Sequence, residues 1–311
     1  MKKRNKYKKA LVTGGAGFIG SHIAGRLIEA GIETVIIDDL SMGKASNVPK
    51  GAKLIIGNIL DRPVLLKAMR GADIVFHDAA KVSIRNSFRD FYADAQTNCM
   101  GTVCVLRAMA EEKVKKIIYA SSMAVYGKNP LPIRESSKLE PISPYGVGKL
   151  ASERYCFLMA KANHFDCVVL RYFNTYGPRQ TLTPYVGVIT IFVNRLLQGK
   201  PPVIFGSGRQ VRDFIHVADV AEANILAMEK NINFGIFNVG TGIGTSVNKI
   251  ATLLIGMINK KIKPQHASLR AGEPDDSVAS TVLLRKALGF VPHNKLEDKI
   301  EELVDFIRTD K

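Results

Sequence analysis

The stretch that decides the fold is Ala10–Gly20, ALVTGGAGFIG. It joins an apolar run, Lys8–Thr13, which predicts a first strand, to a glycine-rich turn over Gly14–Gly20. The next segment, Ser21–Ala30, has apolar residues at helical spacing and is followed by Gly31, a common residue at the end of a helix. This part of the chain therefore predicts a strand, a tight turn and a helix.

The same alternation continues through the first half of the chain. Short apolar runs separated by stretches of helical periodicity predict five further strands: Thr34–Asp38, Lys53–Ile56, Asp73–Phe76, Lys116–Ala120 and Cys167–Leu170. Strands that alternate with helices form parallel sheets with helices on both faces. We therefore expect an α/β fold built on a doubly wound parallel Rossmann sheet.

Beyond Asn174 the alternation weakens. A loop rich in Pro, Thr and Gly over Gly177–Tyr185 precedes a predicted helix, Asp219–Glu229, and a short predicted strand at residues 237–239; a helix over Leu296–Ile307 follows near the end. This pattern predicts a smaller mixed α/β lobe made from two separate segments. We place the Rossmann domain at residues 1–174 plus about 213–240, and the substrate-binding lobe at about 175–212 plus 241–311.

The composition favours a globular protein of the cytoplasm. The 311 residues are 46% hydrophobic, enough for a sizeable core, and the apolar runs are too short to cross a bilayer. The N-terminus shows no cleavable signal, and the four cysteines form no CxxC pair, so we expect reduced, packed thiols. The six histidines lack metal-ligand spacing, and no metal site is predicted.

The formal net charge of +16 is the unusual feature of the composition. Six of the residues from Lys2 to Lys9 are Lys or Arg, a pattern that would attract nucleic acid or an anionic surface. A solvated basic extension explains the same residues, and we favour that interpretation. We therefore expect no nucleic-acid or membrane partner, while the basic field would attract phosphorylated substrates.

The glycine-rich turn has the spacing of a dinucleotide site. Gly14, Gly17 and Gly20 satisfy G-x-x-G-x-x-G, and Gly15 in place of Gly14 satisfies G-x-G-x-x-G. Such glycines permit a tight turn and bring a pyrophosphate to the N-terminus of the helix. Asp38 lies eighteen residues after Gly20, where a carboxylate accepts hydrogen bonds from the adenosine ribose hydroxyls and repels a 2′-phosphate. The predicted cofactor is NAD rather than NADP.

Tyr145 and Lys149 are four residues apart, which places both side chains on one face of a helix. The Lys149 ammonium can hold a nicotinamide ribose and lower the pKa of the Tyr145 phenol, so that a tyrosinate takes a proton from a sugar hydroxyl. Ser122 follows a predicted strand and completes the candidate catalytic set. An alternative role for this serine is strand-end capping, for which Ser121 is the better candidate.

These motifs occur in an order that resembles the extended short-chain dehydrogenase/reductases and, within them, the NAD-dependent nucleotide-sugar epimerases. The resemblance extends from about Lys8 to the C-terminus. Its further marks are HDAA at residues 77–80, TNCMGT at 97–102, SSMAVYG at 121–127, RYFN at 171–174, YGPRQ at 176–180 and RDF at 212–214. Four residues depart from the family pattern: Asn58 and Ser280 replace the usual Asp, Asp78 replaces an apolar residue, and Lys81 replaces Gln.

The resemblance implies roles for individual residues. Tyr145 would be the base for the sugar 4-hydroxyl, Ser122 would hydrogen-bond that oxygen, and Lys149 would bind the nicotinamide ribose. The implied NAD-binding residues are Gly14, Gly17, Phe18, Ile19, Gly20, Asp38, Asn58, Ile59, Ala79, Ala80, Asn98, Tyr145, Lys149 and Tyr172. The implied substrate-binding residues are Ser83, Ser122, Asn174, Arg212, Arg270 and Ser277. A homodimer through the helices around Ala93–Glu112 and Tyr145–Lys161 is implied as well.

The resemblance also implies the type of reaction. Related decarboxylases and 4,6-dehydratases carry a Glu at the position of Ala124, and the dehydratases an Asp at that of Met123; neither residue here transfers a proton. Oxidation at C4, rotation of the ketose and reduction from the other face then give epimerisation without net redox change. Ser277 stands where a bulky Tyr would exclude N-acetyl groups, so its small size favours UDP-GlcNAc and UDP-GalNAc.

Three alternatives stay open at this point. A UDP-glucose/UDP-galactose 4-epimerase with little N-acetyl activity would carry the same motifs. A UDP-uronic acid epimerase would need a carboxylate-binding Arg that the sequence does not make obvious. A non-catalytic dinucleotide- or nucleic-acid-binding protein would fit the charge of +16, but such a protein needs no Ser122, Tyr145 and Lys149 set.

Overall fold

The computed structural model describes residues 6–182, 187–268 and 276–309. The strands in this part of the chain are β1 Lys9–Thr13, β2 Glu33–Asp38, β3 Lys53–Ile56, β4 Ile74–His77, β5 Lys116–Ser122, β6 Asp166–Tyr172, β7 Asn174–Tyr176, β8 Val203–Phe205, β9 Val211–His216, β10 Phe234–Val239, β11 Gly244–Ser246 and β12 Gln265–Ala267. Seven of them form one parallel sheet in the order β10-β6-β5-β4-β1-β2-β3. The predicted α/β class and doubly wound parallel sheet are confirmed.

Helices cover both faces of this sheet. The helices of the described residues are α1 Phe18–Glu29, α2 Arg62–Met69, α3 Ile84–Arg89, α4 Phe91–Ala95, α5 Gly101–Glu111, α6 Pro144–Asn163, α7 Val188–Leu197, α8 Val217–Glu229, α9 Val247–Ile258, α10 Val282–Leu288 and α11 Leu296–Thr309. One face packs against α1, α8 and α10, and the other against α2, α5 and α6. Each strand of the sheet centre is therefore buried on both sides, which explains its continuous apolar sequence.

The smaller lobe has its own core. A mixed three-stranded sheet, β11-β9-β7, and a two-stranded parallel pair, β12-β8, lie with α7, α9 and α11 around buried side chains that include Phe192, Ile250 and Leu303. The predicted smaller mixed α/β lobe is confirmed. The residue boundaries between the two lobes stay a prediction.

Several element boundaries differ from the sequence-based expectation by a few residues. Helix α1 begins at Phe18, so Gly20 lies inside the helix rather than in the turn. Strand β4 begins at Ile74, one residue later than predicted, and the Asp73 carboxylate accepts the backbone N–H groups of Lys8 and Lys9, at 2.7 and 3.1 Å. Part of the predicted loop, residues 183–185, lies outside the described residues.

The structure also shows how the cysteines are packed and whether a helix could cross a membrane. Cys156 and Cys167 are buried and Cys99 and Cys104 half-buried, and all four thiols are free. Within the described ranges, no helix combines the length and the apolar character that a bilayer crossing requires.

Candidate active site

The candidate site lies at the carboxyl edge of the parallel sheet, where the strand order reverses beside β1. Open parallel sheets bind ligands at this position, because the loops on either side of the reversal diverge and leave a crevice. The ends of β1 and β4 are tied together there by a hydrogen bond of 2.7 Å between Thr13 Oγ1 and His77 Nδ1. The predicted site residues belong mainly to the loops that leave these strands and their neighbours β2, β5 and β6.

Two glycines of the turn are required by close backbone approach. Gly14 has a φ of +71°, and a Cβ on it would lie 2.8 Å from the backbone nitrogen of Ala79. A Cβ on Gly20 would lie 2.3 Å from the carbonyl oxygen of Gly14. Side chains at these positions would push α1 away from β1 and from the loop after β4. The glycine spacing therefore places the N-terminus of α1 directly over the sheet edge.

The N-terminus of α1 has the properties of an anion site. Its N-cap residue, Gly17, offers no side chain to the first-turn N–H groups, which include those of Phe18 and Ile19, and no acidic residue lies in the first turn. Both of these side chains are half-buried, and the Phe18 ring meets His22 edge-on. A diphosphate suits this position because the N–H dipoles point towards it.

Asp38 ends β2 and is 8% exposed. Its Oδ2 accepts the Ala16 N–H at 2.9 Å and its Oδ1 accepts the Leu40 N–H at 2.8 Å. Burial raises the pKa of the carboxyl, and these backbone hydrogen bonds oppose the rise. Each carboxylate oxygen keeps acceptor capacity for a ribose hydroxyl.

Asn58 and Ile59 follow β3. The Asn58 amide donates to Asp39 Oδ2 at 3.0 Å, and its oxygen accepts the Leu60 N–H at 2.9 Å. That oxygen retains a lone pair for an adenine amine, as the sequence predicts. Ile59 is buried against α5, where a Cβ on Gly101 would lie 2.5 Å from the Ile59 Cδ1.

Asn98 organises the loop after β4. Its Oδ1 accepts the Lys81 N–H at 2.9 Å, and its Nδ2 donates to the Lys81 carbonyl at 2.9 Å and to Asp94 Oδ1 at 3.0 Å. It lies in a single π-helical turn, Gln96–Met100, between α4 and α5. Such turns are frequent at functional sites, and no sequence signal predicted this one.

Ala79, Ala80 and Tyr172 lie at the ends of β4 and β6. The Ala79 N–H donates to Thr13 Oγ1 at 3.2 Å, and both alanines are half-buried. Tyr172 is almost fully buried, and its hydroxyl accepts a hydrogen bond of 2.9 Å from Asn224 Nδ2. All three predicted cofactor residues therefore lie at the sheet edge.

Ser143 positions the helix that carries Tyr145. The Ser143 hydroxyl accepts the Gly146 N–H at 3.1 Å, and Pro144 occupies the first position of α6. A Cβ on Gly146 would lie 2.4 Å from the Ala124 carbonyl oxygen, so α6 lies directly on the turn after β5. The Ser-Pro pair is a helix-start signal that the sequence-based reasoning missed.

Ser122, Tyr145 and Lys149 meet at one point. The Ser122 hydroxyl hydrogen-bonds the Tyr145 phenol. The Lys149 ammonium lies 6.0 Å from the centroid of the Tyr145 ring and donates to the Ala120 carbonyl at 2.8 Å. Tyr145 and Lys149 are buried in the described structure. A hydroxyl and a phenol with a cation nearby can orient a substrate hydroxyl and transfer its proton.

The capping role predicted for Ser121 is wrong. The Ser122 hydroxyl accepts the Ala124 N–H at 3.2 Å, whereas Ser121 donates to the buried Glu153 carboxylate at 2.5 Å. This carboxylate also accepts from Arg171, through Nε at 2.8 Å and Nη2 at 2.6 Å. A buried carboxylate needs several donors, and Ser121 supplies one of them.

Three of the predicted substrate residues come together in the smaller sheet. Asn174 begins β7, and its Nδ2 lies 3.4 Å from the Ser277 hydroxyl and 3.3 Å from the Asp213 carbonyl oxygen. Ser277 is fully buried and pairs with β9 through its backbone, directly beside Arg212.

Besides Ser122, which lies with Tyr145, two predicted substrate residues are not placed in this group. The Ser83 hydroxyl accepts the Asn86 N–H at 3.1 Å and so caps α3. Arg270 lies outside the described residues.

The comparison with protein families identifies the fold's relatives. The NAD dependent epimerase/dehydratase family matches residues 10–240. The chain belongs to this family. The UDP-glucose 4-epimerase of Mycolicibacterium smegmatis is 35% identical to it over 308 residues, which cover 96% of this chain and 98% of that protein.

Two solved structures are similar over nearly the whole chain. The UDP-glucose 4-epimerase of Thermotoga maritima, solved with UDP-glucose, is 38% identical with a TM-score of 0.94, covering 97% of this chain and 99% of its own. The UDP-N-acetylglucosamine 4-epimerase of Methanobrevibacter ruminantium M1, solved in complex with UDP-N-acetylmuramic acid, is 36% identical with a TM-score of 0.93, covering 98% and 99%. The resemblance to NAD-dependent nucleotide-sugar epimerases is confirmed, and the epimerase uses NAD.

The geometry of the epimerase fits this cofactor. The close glycine turn, the uncapped start of α1 and the buried Asp38 carboxylate match a pyrophosphate and an adenosine ribose. The Lys149 ammonium keeps two of its three N–H donors beyond the Ala120 carbonyl, enough for a ribose diol.

Burial shifts the pKa values of Tyr145 and Lys149 in the epimerase. It raises the pKa of Tyr145 to about 12, and the Ser122 hydrogen bond opposes the rise. It lowers the pKa of Lys149 to about 8, and the Asp78 and Asp94 carboxylates oppose this shift. In the chain by itself the net shift of the phenol pKa is therefore upward, because desolvation of the tyrosinate is the largest effect; the predicted lowering by the Lys149 charge stays a prediction.

Proposed function

We propose that the enzyme is a 4-epimerase of UDP-hexoses, with UDP-GlcNAc and UDP-GalNAc as its favoured substrates. The observation that carries the proposal is the meeting of Ser122, Tyr145 and Lys149 beside a turn, Met123–Val125, that contains no acidic residue. A base and a cation suffice for redox at a carbinol carbon. Loss of the 6-hydroxyl would need a further proton donor at this turn.

Each side chain of the set has one task in this proposal. Ser122 orients the sugar 4-hydroxyl towards Tyr145, which accepts the hydroxyl proton as C4 is oxidised and returns it when the 4-keto sugar is reduced on its opposite face. Lys149 is protonated below its pKa of about 8 and stabilises the phenolate. Bound NAD supplies the hydride acceptor and, when oxidised, a positive charge that favours the phenolate.

The NAD contacts divide between the two ends of the sheet edge. Gly17, Phe18 and Ile19 would bind the diphosphate through their N–H groups, and Asp38 would bind the adenosine ribose. The remaining contacts would come from Asn58, Ile59, Ala79, Ala80, Asn98 and Tyr172, which are placed around the same edge.

The substrate contacts lie between the two lobes. Arg212 suits the diphosphate, because its planar guanidinium binds two oxygens at once, and Arg270 is proposed as its partner. Asn174 would bind the phosphate next to the sugar. Ser277, whose hydroxyl is 3.4 Å from Asn174, is the small residue that would admit a 2-acetamido group.

One observation favours a second candidate, a UDP-glucose/UDP-galactose 4-epimerase with little N-acetyl activity. Ser277 has no exposed surface in the described structure, so an acetamido group could contact it only if the residues that cover Ser277 moved aside.

The test of the proposed substrates is an epimerisation assay across UDP-Glc, UDP-Gal, UDP-GlcNAc, UDP-GalNAc and the UDP-uronic acids. A higher kcat/KM for the N-acetylated pair supports the proposal, and turnover of UDP-Glc and UDP-Gal alone contradicts it.

We also propose that the enzyme is a homodimer through α4, α5 and α6. Helices α4 and α5 each contact α6, and these helices with the π-helical turn between α4 and α5 expose large apolar side chains: Phe91, Tyr92, Met100, Val147, Tyr155 and Leu158. Apolar patches of this kind mark protein interfaces. A second copy of the chain would cover the patch symmetrically.

A further inference from the structure

Asp78 has a buried carboxylate oxygen whose role the proposed reaction leaves unexplained. The residue follows β4 directly, and its N–H donates to the Thr13 carbonyl at 3.2 Å. Its Oδ2 is buried and has no hydrogen-bond partner among the described residues. Such an oxygen costs free energy, so it requires a compensating interaction. An apolar residue is usual at this position in the family.

The compensating interaction is electrostatic, and it comes from the catalytic helix. The charge of Asp78 acts on Lys149 and Tyr145 of α6 and on Tyr172 of β6. Lys149 is the cation that acts on Asp78, and Asp78 is the first charge that opposes the effect of burial on Lys149. Asp94 of α4 and Glu153 of α6 also act on Lys149, and Glu153 is already paired with Arg171.

Apart from Lys81, the remaining neighbours of this group are neutral. His77 of β4 is kept neutral because burial lowers its pKa to about 3. Tyr145 and Tyr172 are neutral near pH 7, since burial raises the pKa of both phenols. Lys81 acts on Asp94 and is tied through its backbone to Asn98.

We propose that Asp78 is a positioning residue of the reaction, the counter-ion that keeps the buried Lys149 ammonium charged. A buried lysine without an opposite charge loses its proton readily, and a neutral amine no longer stabilises a phenolate. The proposal rests on the proposed function only through the role of Lys149. Burial raises the pKa of Asp78 to about 7 and lowers that of Lys149 to about 8, so the two groups are charged together in a narrow range around neutral pH.

Asp78 is a better counter-ion for a test than Asp94. The Asp94 carboxylate accepts a hydrogen bond from Asn98, which holds the Lys81 backbone, so its removal would disturb the loop. The Asp78 Oδ2 has no such partner in the described part of the chain. Asp78→Asn therefore removes the charge and preserves the shape of the side chain.

The first experiment is the pH profile of kcat/KM with whichever UDP-hexose the enzyme epimerises. In Asp78→Asn the alkaline limb should move to lower pH by about one unit, because Lys149 loses its proton earlier without a neighbouring negative charge. The control is Glu229→Gln, which removes the same charge from the exposed end of α8 and should leave the limb in place. An alkaline limb that stays at the wild-type position in Asp78→Asn overturns the proposal, even if kcat falls.

The second experiment needs no substrate. Infrared spectra of the NAD-loaded wild type and of NAD-loaded Asp78→Asn are recorded over a range of pH, and the second is subtracted from the first. The difference isolates the carbonyl band of the protonated Asp78 carboxyl, which should disappear as the pH rises through about 7. In Lys149→Met the band should persist to higher pH by about one unit or more, because the cation is lost. An unchanged midpoint overturns the proposal. A wrong substrate assignment would leave this titration unaffected, so the two failures are distinguishable.

Discussion

Tyr145 shows how strongly burial acts on a catalytic residue. Its phenol is buried, and desolvation, with smaller contributions from the Asp94 and Asp78 carboxylates, raises its pKa to about 12. The Ser122 hydrogen bond acts in the other direction. The chain therefore keeps the phenol protonated near neutral pH, and a base is produced only when positive charge enters the pocket.

Replacing Tyr145 by Phe removes the hydroxyl and keeps the ring, so folding and NAD binding should survive. Turnover should fall by about 10²–10⁴-fold, the usual contribution of a positioned acid or base. The measurement is kcat with the best UDP-hexose, alongside bound NAD and the melting temperature. Tyr155→Phe, on the exposed side of the same helix, is the matched control. Turnover near the wild-type value in Tyr145→Phe would remove this residue from the mechanism.

Asp38 should decide the choice between NAD and NADP. Its carboxylate lies where it would accept from both ribose hydroxyls and repel a 2′-phosphate. Asp38→Asn should lower the ratio of Kd for NADP to Kd for NAD by roughly tenfold or more, the value of charged hydrogen bonds. Asp39→Asn removes the same charge from a side chain that bonds Ser41 and Asn58 instead, and should change the ratio less. Preferential NADP binding by the wild type would contradict the role of Asp38.

Ser277 tests the size of the sugar pocket. Ser277→Tyr should lower kcat/KM for UDP-GlcNAc much more than for UDP-Glc, because only the acetamido group needs the space beside this residue. Since Ser277 is fully buried, the melting temperature has to be measured as well, and Ser277→Ala serves as the control for loss of the contact with Asn174. An unchanged ratio of the two kcat/KM values would separate Ser277 from the sugar.

At the scale of elements, the sequence predicts what burial and periodicity control. The central strands are apolar on both faces and were located to within a few residues; the turn at Gly14 and the helix after it follow from glycine geometry. The short strands β7, β8, β11 and β12 have three residues each, too few for any periodicity. Tertiary contacts, such as Ser121 with Glu153, determine side-chain roles that local propensity does not encode.

The Glu153–Arg171 pair joins β5 and α6, the two elements that carry the catalytic residues, to β6. Both side chains are 1% exposed, and they link α6 to β6, while Ser121 links them to β5. Arg171 also donates to the Tyr126 hydroxyl at 2.8 Å. Such a network fixes the position of α6 relative to the strand that ends at Ser122.

Breaking this pair should destabilise the whole enzyme. Glu153→Gln leaves the Arg171 guanidinium buried without its counter-charge and should lower the free energy of unfolding by about 3–5 kcal/mol. The measurement is urea denaturation monitored by circular dichroism. Glu140→Gln disrupts the exposed pair with Lys138 and should cost less than about 1 kcal/mol. Equal costs for the two variants would show that the buried network adds little.

At the scale of the whole molecule, two features decide how the site is completed. In the proposed site, the cofactor half would be built by the parallel sheet and the substrate half by the smaller lobe, which has a separate core and carries Asn174 on β7 and Ser277 beside β9. The loss of alternation after Asn174 predicts the smaller lobe, and its boundaries stay a prediction.

The outer surface of α4, α5 and α6 should determine the oligomeric state. Leu158 is 65% exposed on α6, and Val147 and Tyr155 lie on the same side of this helix, eleven and three residues before it. An isolated patch of this size is unfavourable in water, and a two-fold partner would bury it.

Light scattering should therefore give the mass of a dimer for the wild type. Leu158→Glu should shift the equilibrium to monomer, because two like charges would meet across the axis. Val282→Glu introduces the same charge at an exposed apolar position of α10 and should leave the dimer intact. A wild type that is monomeric at micromolar concentration would leave this surface to another partner.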